Sequence, residues 1–306
     1  MKQKCYNLTV NKISVVINTL NEEKNLPRAL ASIKDFADEI VVCDMRSDDK
    51  TIEIANKFGA KVFQHKRTGY VEPARNFAIS KATGEWILIL DADEEVSKSL
   101  SLRKIVNNSK ADYYRISRKN IIFGKWIKHS RWWPDYNIRL FKKGYVSWTE
   151  VIHSVPITTG KGLDLKATED NAIIHHNYDS IEQFIERMNR YTTEHAKLLK
   201  KDGYRFVWLD LIKKPSSEFI SRYFQGEGYK DGLHGLVLAI LQGFSEFILY
   251  LKVWQKEKLN SQTLEVSEVI NEIKNVESDL HYWQADTLLK FGGGFKERIK
   301  RRFKLS

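Results

Sequence analysis

The stretch Trp86-Ile87-Leu88-Ile89-Leu90-Asp91-Ala92-Asp93 joins an unbroken apolar run to a pair of carboxylates. A short apolar run of this kind is typical of a strand that is buried on both faces of a parallel sheet. The carboxylates then stand at the carboxyl end of the strand, where open α/β sheets bind their ligands. Because Mg²⁺ and Mn²⁺ prefer carboxylate oxygens and are commonly shared with substrate phosphates, the stretch predicts a site for a divalent cation and a diphosphate. The alternative interpretation is an acidic cap at a helix N-terminus.

Strand and helix signals alternate on the N-terminal side of this stretch. The predicted elements are, in order, strand 13–17, helix 26–37, strand 39–43, helix 51–58, strand 61–64, helix 73–82 and strand 86–90. This βαβαβαβ order predicts a parallel sheet with helices on both faces. Asn18 and Thr19, Asp44, and the pair Asp91 and Asp93 each follow a predicted strand directly. Since the carboxyl ends of parallel strands meet at one edge of a sheet, we expect these polar side chains to converge there.

The chain beyond residue 110 shows two further patterns. Strands are predicted over residues 113–117, 137–141 and 172–175, and helices predominate from residue 180 onward. The most apolar stretch, residues 233–254, contains Gln242, Ser245 and Glu246. These polar residues predict an amphipathic or shallowly inserted helix rather than one that spans a membrane. The C-terminal segment 296–304 is basic, with apolar residues between the charges.

The composition is that of a folded, basic protein. Of the 306 residues, 42% are apolar, which excludes wholesale disorder, and the length allows one large domain or a domain with an appendage. The formal net charge of +11 favours an anionic partner: a nucleotide sugar, a phospholipid surface or nucleic acid. The alternative is a basic surface with no special partner. Two cysteines, Cys5 and Cys43, give no disulfide framework or zinc site, and residues 1–11 lack the apolar core of a secretory signal, so we expect a reducing, cytoplasmic location.

Four motifs follow one another along the first third of the chain: Ser14-Val15-Val16-Ile17-Asn18-Thr19-Leu20-Asn21-Glu22-Glu23, Val41-Val42-Cys43-Asp44, Ala74-Arg75-Asn76 and Asp91-Ala92-Asp93-Glu94. Taken together in this order and spacing, they resemble the donor half of family 2 glycosyltransferases. The resemblance implies an inverting enzyme with an α/β fold of the GT-A type, a Rossmann-like, mostly parallel sheet with flanking helices. A looser match along the rest of the chain is similar to the lipopolysaccharide core β-1,4-glucosyltransferase subgroup.

The resemblance also implies a domain division and a donor. A GT-A domain would cover residues 1–178, with a donor half over 10–110 and an acceptor half over 111–178. A helical region would follow over 179–306 and associate with a membrane or dimerise. The implied donor is a UDP-sugar, bound with Mn²⁺ or Mg²⁺.

The nucleoside of the donor would be held at the first two strand ends. By resemblance, Thr19, Asn21 and Glu22 line its pocket. Asp44 would accept a hydrogen bond from the uracil ring, a task that suits a carboxylate. Ser47 would help at the ribose.

The diphosphate would be held near Asp91 and Asp93. Arg75 occupies the position of a donor-binding cation, with Asn76 beside it, and a guanidinium matches phosphate oxygens well. Asp93 is the expected direct metal ligand. Asp91 would act through the ribose or a metal-bound water and is the second metal candidate. His175 would contact the metal or the diphosphate; a structural histidine is the alternative for it and for His153.

The catalytic base stays open between two carboxylates. An inverting transfer needs a carboxylate that deprotonates the acceptor hydroxyl as it attacks the anomeric carbon. The candidates are Glu150 and Asp135, and Glu150 is preferred by a narrow margin because it follows the strand over 137–141. An ordinary surface carboxylate is the alternative for each.

The acceptor is expected to be a sugar of a cell-envelope glycan, such as a lipopolysaccharide core or another lipid-linked saccharide. Trp126, Trp132, Trp133 and Tyr136 can stack on sugar rings, although a hydrophobic core is an equal alternative. The basic tail and the apolar stretch predict peripheral contact with an anionic membrane surface, on the cytoplasmic face of the inner membrane. A homodimer formed through the apolar helix also fits, and no nucleic acid is expected.

Two other functions compete with glycosyl transfer. A nucleotidyltransferase of similar fold usually has a glycine-rich phosphate loop after its first strand, whereas residues 18–24 contain no glycine. A non-catalytic basic protein that binds membrane surfaces would explain the charge but not the carboxylates at three strand ends. Glycosyl transfer is therefore the leading hypothesis.

Overall fold

The structure is a computed structural model that describes residues 11–68, 71–149 and 155–305. The chain divides into two compact units. One comprises Met1–Ile121 and Pro134–Asn177, and we call it the sheet unit; the other comprises Ile122–Trp133 and Tyr178–Ser306, and we call it the helical unit. Residues 122–133 thus cluster with the helices, although they precede residue 178. The division into functional domains at residue 178 stays a prediction.

Strands dominate the sheet unit and helices the other. The elements of the sheet unit are β1 (Ile13–Thr19), α1 (Leu26–Ile33), β2 (Glu39–Asp44), α2 (Thr51–Lys57), β3 (Lys61–Gln64), α3 (Glu72–Lys81), β4 (Trp86–Asp91), β5 (Glu94–Val96), α4 (Leu102–Asn107), β6 (Tyr113–Ile122), β8 (Asp135–Lys142), β9 (Val146–Ser147), β10 (Ile157–Thr158), β11 (Gly162–Asp164) and β12 (Ile173–Tyr178). Those of the helical unit are β7 (Lys125–Trp126), α5 (Ile181–Lys201), α6 (Asp210–Ile220), α7 (Leu233–Lys256), α8 (Val266–Lys290) and α9 (Phe295–Phe303). The predicted alternation up to β4 is confirmed; β5, directly after the two carboxylates, was not predicted.

The sheet has the strand order β3-β2-β1-β4-β8-β6-β12-β5. Its first half is parallel: Thr19 of β1 lies opposite Asp44 of β2, and Asn18 lies opposite Asp91 of β4. β8 then joins β4 in the antiparallel sense, with Leu88 opposite Leu140. The expected convergence of strand-end polar residues is therefore confirmed, because three parallel strands end side by side at one edge.

Alternate residues of β1 explain why helices cover both faces of the sheet. Val15 and Ile17 are fully buried in a cluster that includes Leu30 of α1, whereas Val16 belongs to a second cluster that includes Ala74 of α3. A strand that is buried on both faces needs apolar side chains at every position, and this is what the continuous runs in β1 and β4 supply. The predicted α/β class is thereby confirmed.

The helical unit packs around α7. Its helices α5 and α6 contact α7 extensively, and Ala196, Leu249 and Val253 are buried between them. Gly235 of α7 lies so close to the preceding turn that an added Cβ would stand 1.8 Å from the carbonyl oxygen of Gly228. That close approach requires glycine at position 235.

Helix α7 is long and apolar enough to cross a membrane, with a mean hydropathy of 1.7 over its most apolar window, of which 33% is buried. Among the described residues it alone passes this test. One such helix is weak evidence for a membrane span, because core helices of soluble proteins meet the same criteria. The expectation of an amphipathic or shallowly inserted helix stays a prediction.

A buried carboxylate joins the N-terminal ends of the first strands. Glu39 of β2 accepts hydrogen bonds from Ser14 Oγ at 2.5 Å, from the Thr83 backbone at 2.6 Å and from Lys61 Nζ at 2.7 Å. The Ser14 hydroxyl in turn accepts from the Gly84 backbone at 2.8 Å. Burial by itself would raise the pKa of Glu39, but these hydrogen bonds outweigh it and lower the pKa from 4.5 to about 2.

Acid should therefore remove part of the stability of the sheet unit. A carboxyl group with a lowered pKa stabilises the fold above its ordinary pKa, and this contribution is lost as the pH falls from about 4.5 to about 2. We expect the free energy of unfolding of the wild type to fall by about 3 kcal/mol more than that of Glu39→Gln over this range. Urea unfolding at several pH values measures the difference, and parallel curves for the two proteins would contradict it.

Candidate active site

The first strand ends form a hydrogen-bonded cradle around Asp44. Its carboxylate accepts from Thr19 Oγ1 at 3.1 Å and from the hydroxyl and backbone N–H of Ser47 at 2.5 and 2.9 Å. The Ser47 hydroxyl also accepts from the backbone N–H of Asn21, and Asn21 Oδ1 accepts from the backbone N–H of Asp48, at 2.8 and 2.9 Å. The structure thus brings together four predicted nucleoside residues, Thr19, Asn21, Asp44 and Ser47.

Backbone conformation helps to shape this cradle. Asn21 has a φ of 57° and Arg46 a φ of 63°, so both turns visit the left-handed region, which asparagine tolerates better than most residues. Glu22, the fifth predicted nucleoside residue, is tied locally: its backbone N–H donates to Thr51 Oγ1 and its carboxylate accepts from Asn25 Nδ2. The loop after β1 is therefore held by the start of α2.

Asp91 is clamped by two arginines. Arg75 Nη2 donates to Asp91 Oδ1 at 2.8 Å, and Arg139 Nη2 donates to Asp91 Oδ2 at 2.7 Å. Arg139, which is only 4% exposed, also donates to Glu94 Oε1, and Glu94 is fully buried. The Asp91 backbone N–H donates to Glu94 Oε2 at 3.0 Å. Two carboxylates and two guanidiniums thus form one compact ionic cluster behind the strand end.

The cluster separates the pKa values of its two acids. Loss of solvation opposes ionisation of Asp91, but the charges of Arg139 and Arg75 outweigh it and hold its pKa well below the usual range. Burial raises the pKa of Glu94, and the neighbouring Asp91 charge adds to this rise. Asp91 is therefore the ionised partner of the arginines at any physiological pH.

Asp93 faces His175. The Asp93 Oδ2 atom lies 3.5 Å from His175 Nε2, and the pairing of β12 with β5 places His175 opposite Glu94. His175 Nδ1 lies 2.6 Å from Asn120 Oδ1, and Asn120 Nδ2 donates to Asp135 Oδ2 at 3.1 Å. Because the amide donates to Asp135 through its nitrogen, its oxygen is turned to His175 and accepts the Nδ1 proton. In the neutral ring, Nε2 is then the acceptor nitrogen, and it lies on the side of Asp93.

Asp135 is bound by neighbouring cations and amides. Arg118 donates to Asp135 Oδ2 from Nε at 2.8 Å, and Asn137 Nδ2 donates to Oδ1 at 3.1 Å. Burial raises the pKa of Asp135, but the charge of Arg118 and the hydrogen bonds from Asn120 and Arg118 outweigh it and lower the pKa. A lowered pKa makes this carboxylate a weaker base than an ordinary aspartate.

Asn76 of α3 anchors the chain that leads to the second base candidate. Its Nδ2 donates to the Trp148 carbonyl at 2.7 Å, and its Oδ1 accepts from the Trp148 backbone N–H at 2.9 Å. The Arg75 guanidinium carbon lies 5.6 Å from the centre of the Trp148 ring. Glu150 and His153 lie outside the described residues, so the role of Glu150 stays a prediction.

A cation fits part of this arrangement. A ligating histidine usually donates its other ring N–H to a fixed acceptor, as His175 does to Asn120. Asp93 and His175 therefore suit a divalent metal, whereas both oxygens of Asp91 are engaged by arginines. Among the described residues, no three His, Cys, Asp or Glu side chains are grouped to hold a metal. Phosphate and water oxygens would have to complete the ligand shell, as is common for Mg²⁺.

Sequence reasoning assigned no role to four residues of this site: Glu94, Arg118, Asn120 and Arg139. Three of them lie on β6 and β8, far along the chain from the strand ends that they support. One signal was available for Arg139. It precedes Leu140 and Phe141 in a run predicted to be a strand of the sheet, and a charge beside buried positions indicates an ion pair.

Comparison with known proteins decides the family. Residues 14–170 match the model of the protein family described as "Glycosyl transferase family 2". These residues include every strand-end residue described above. The chain belongs to this family. The family 2 glycosyltransferase is similar to an uncharacterized glycosyltransferase of Rickettsia typhi, with 31% identity over 280 residues that cover 88% of this chain and 96% of that protein. The family predicted from the four motifs is thereby confirmed.

Two further similarities are more distant. The lipopolysaccharide core biosynthesis glycosyltransferase LpsC of Rhizobium meliloti is 23% identical over 260 residues, which cover 82% of this chain and 94% of LpsC. Among solved structures, residues 1–349 of S. aureus TarS in complex with UDP give a TM-score of 0.44 at 16% identity, covering 83% of this chain and 94% of that one. The family assignment does not depend on either.

Proposed function

We propose that this family 2 glycosyltransferase is metal-dependent and inverting, and that it transfers a sugar from a UDP-sugar to a hydroxyl of a cell-envelope glycan. The observation that carries the proposal is the side-by-side ending of β2, β1 and β4, which gathers Asp44, Thr19 and Asp91 at one edge. Asp93 follows directly and faces His175. The nucleoside and the diphosphate of a nucleotide sugar need two adjacent environments, which the strand ends and the Asp93–His175 pair would supply.

The nucleoside is proposed to bind at Asp44. The carboxylate has about four acceptor positions, and Thr19 and Ser47 take three of them. The remaining capacity suits the ring N–H of uracil. Because Thr19 and Ser47 hold the carboxylate rigidly, it does not need to be ordered when the base arrives, which favours affinity.

The diphosphate is proposed to lie between Asp93 and Arg75. A divalent cation held by Asp93 and His175 would offset the negative charge that develops on the leaving UDP. Asp135 and Asn120 keep His175 in the tautomer and orientation that this requires. Arg75 and Arg139 together offset the charges of Asp91 and Glu94, which lowers the repulsion between these acids and the diphosphate.

Glu150 is proposed as the catalytic base. The hydrogen bonds of Asp135 and its lowered pKa favour a positioning role for Asp135. The segment that precedes Glu150 is tied to α3 beside Arg75 through Trp148 and Asn76. The base would accept the proton of the acceptor hydroxyl as its oxygen attacks the anomeric carbon, while UDP leaves from the opposite face of the sugar.

One relative and the net charge support the proposed acceptor class and location. LpsC is named for lipopolysaccharide core biosynthesis and is similar over most of its length, which supports a lipid-linked cell-envelope glycan as acceptor. A net charge of +11 supports peripheral contact with the anionic cytoplasmic face of the inner membrane. A homodimer through the helical unit stays a prediction.

A panel of nucleotide sugars tests the donor. Water acts as a slow acceptor, so UDP release can be followed without the natural glycan. We expect release from at least one UDP-sugar in the presence of Mn²⁺ or Mg²⁺, loss of release with a chelator, and no release from GDP- or CMP-sugars. Absence of both hydrolysis and binding with every UDP-sugar would contradict the proposal, and release unchanged by a chelator would contradict metal dependence.

A further inference from the structure

The helix α9 is held to α8 by one of its faces. Arg301 Nη1 donates to Asp286 Oδ1 at 2.9 Å, and Lys304 Nζ donates to Asp279 Oδ1 at 2.8 Å. Arg301 lies within α9, and Lys304 directly follows the last residue of the helix. Both side chains reach acidic residues of α8, so the side of α9 that bears Arg301 is the one that faces α8.

The opposite side of α9 is apolar and exposed. Phe295, Ile299 and Phe303 follow one another at intervals of four residues, so they form a single stripe along the helix. They are 77%, 37% and 61% exposed, respectively. Phe291 before the helix and Leu305 after it are 69% and 52% exposed. Because this stripe faces solvent instead of α8, its apolar side chains contribute little burial to the stability of the fold. Exposed apolar patches of this kind mark interaction sites.

Basic side chains flank this stripe. Lys296 borders the stripe on one flank, and Arg298 and Arg302 border it on the other. Glu297 lies on the opposite side of the helix, where its carboxylate accepts a hydrogen bond from the Gly294 backbone N–H at 2.9 Å. In the part of the chain that the structure describes, the ion pairs between α9 and α8 are made by Arg301 and Lys304 instead. The flanking cations therefore stay available to an anionic partner.

We propose that α9 docks flat on an anionic lipid surface. Phe295, Ile299 and Phe303 would enter the boundary between headgroups and acyl chains, and the flanking cations would contact lipid phosphates. An amphipathic helix with a basic polar face binds membranes in this way. The proposal deepens the membrane contact proposed above and rests on it, by assigning that contact to α9.

Charge and shape distinguish a lipid surface from other occupants. A second copy of the chain, related by a two-fold axis through α9, would bring basic flanks against basic flanks. Nucleic acid would pair with the cations but would leave three large apolar side chains uncovered. An anionic bilayer surface satisfies both the apolar stripe and its basic borders.

Cosedimentation with lipid vesicles tests the proposal. The full chain is mixed with vesicles containing about one-third phosphatidylglycerol in phosphatidylcholine, or phosphatidylcholine alone. One variant removes the stripe: Phe295→Ser, Ile299→Ser and Phe303→Ser. A second removes the flanking charges: Lys296→Gln, Arg298→Gln and Arg302→Gln. The matched control removes three exposed lysines of the sheet unit: Lys98→Gln, Lys104→Gln and Lys110→Gln.

We expect the wild type to bind the anionic vesicles and not the neutral ones. Each basic residue near an anionic leaflet contributes about a fivefold factor, so the charge variant should bind roughly 100-fold more weakly, while the lysine control changes little. The stripe variant should bind the anionic vesicles at least about tenfold more weakly than the wild type, at low salt and at high salt alike. Circular dichroism checks that both variants stay folded.

Three results would overturn the proposal. They are equal binding of wild type to neutral vesicles, binding of both α9 variants at the wild-type level, and a wild-type dimer that dissociates in the stripe variant without vesicles. UDP release measured without vesicles is a separate readout. Failure of vesicle binding with intact UDP release would refute the α9 surface alone, and the converse would refute the donor chemistry.

Discussion

The variant Asp93→Asn should release UDP about 1000-fold more slowly than the wild type, or not at all. The amide keeps the size of the side chain but removes the charge that would hold a divalent cation next to His175. A metal that stabilises a leaving diphosphate contributes several kcal/mol, which is about three orders of magnitude in rate. The measurement is UDP release from the preferred UDP-sugar over a range of Mn²⁺ or Mg²⁺ concentrations.

Two further variants make this result specific. Asp35→Asn makes the same chemical change at an exposed position away from the strand ends, and it should keep wild-type activity. His175→Gln should lower activity less than Asp93→Asn and should raise the metal concentration needed for half-maximal release, roughly 10- to 100-fold. Wild-type release by Asp93→Asn, or a metal requirement unchanged in both site variants, would remove Asp93 from the proposed metal site.

The variant Arg139→Met should lower the free energy of unfolding by about 3–5 kcal/mol. Arg139 is the shared partner of Asp91 and of the fully buried Glu94. Its removal leaves the more distant Arg118, whose Nη1 lies 3.8 Å from Glu94 Oε1, to offset the charge of this buried carboxylate. The effect is large because the site is shielded from water. Urea-unfolding midpoints at neutral pH, followed by far-ultraviolet circular dichroism, measure it.

The chain contains a matched control for this prediction. Arg115 makes a bidentate pair with Asp164 at 2.6 Å, but the two side chains are 49% and 41% exposed. Arg115→Met should therefore cost at most about 1 kcal/mol. If Arg139→Met is too unstable to isolate, adding Glu94→Gln should restore part of the stability by removing the unpaired charge. Equal losses for Arg139→Met and Arg115→Met would show that the ionic cluster contributes little.

Local patterns in the sequence were enough to predict the parallel half of the sheet. β1 and β4 are continuous apolar runs because both of their faces are buried, and Pro27, Gly59 and Gly84 mark helix and turn boundaries. The strand-end position of Asp44 and Asp91 follows from the same runs, since each residue comes directly after one. These features depend on neighbours within a few residues.

The environment of those carboxylates depends on distant parts of the chain. Arg139 reaches Asp91 from 48 residues away, and Asn120 reaches His175 from 55 residues away. Whether Asp135 acts as a base or positions His175 depends on where β6 and β8 lie in the sheet, and periodicity carries no information about strand order. Arg118 lies opposite Asp135 because β6 pairs with β8 in the folded sheet.

Apolar runs in the sequence were therefore enough to predict the parallel strands and the edge at which the polar residues gather, because such runs encode burial locally. The family was predicted from the resemblance of four motifs. The tertiary structure decided which acids are neutralised, which histidine faces Asp93 and which side of α9 stays exposed. Those outcomes depend on the registers β4–β8 and β12–β5 and on the ion pairs of Arg301 and Lys304. Each strand register and each ion pair joins residues that are separated in the sequence. The electrostatic energies of these pairs depend on burial that only the folded protein creates.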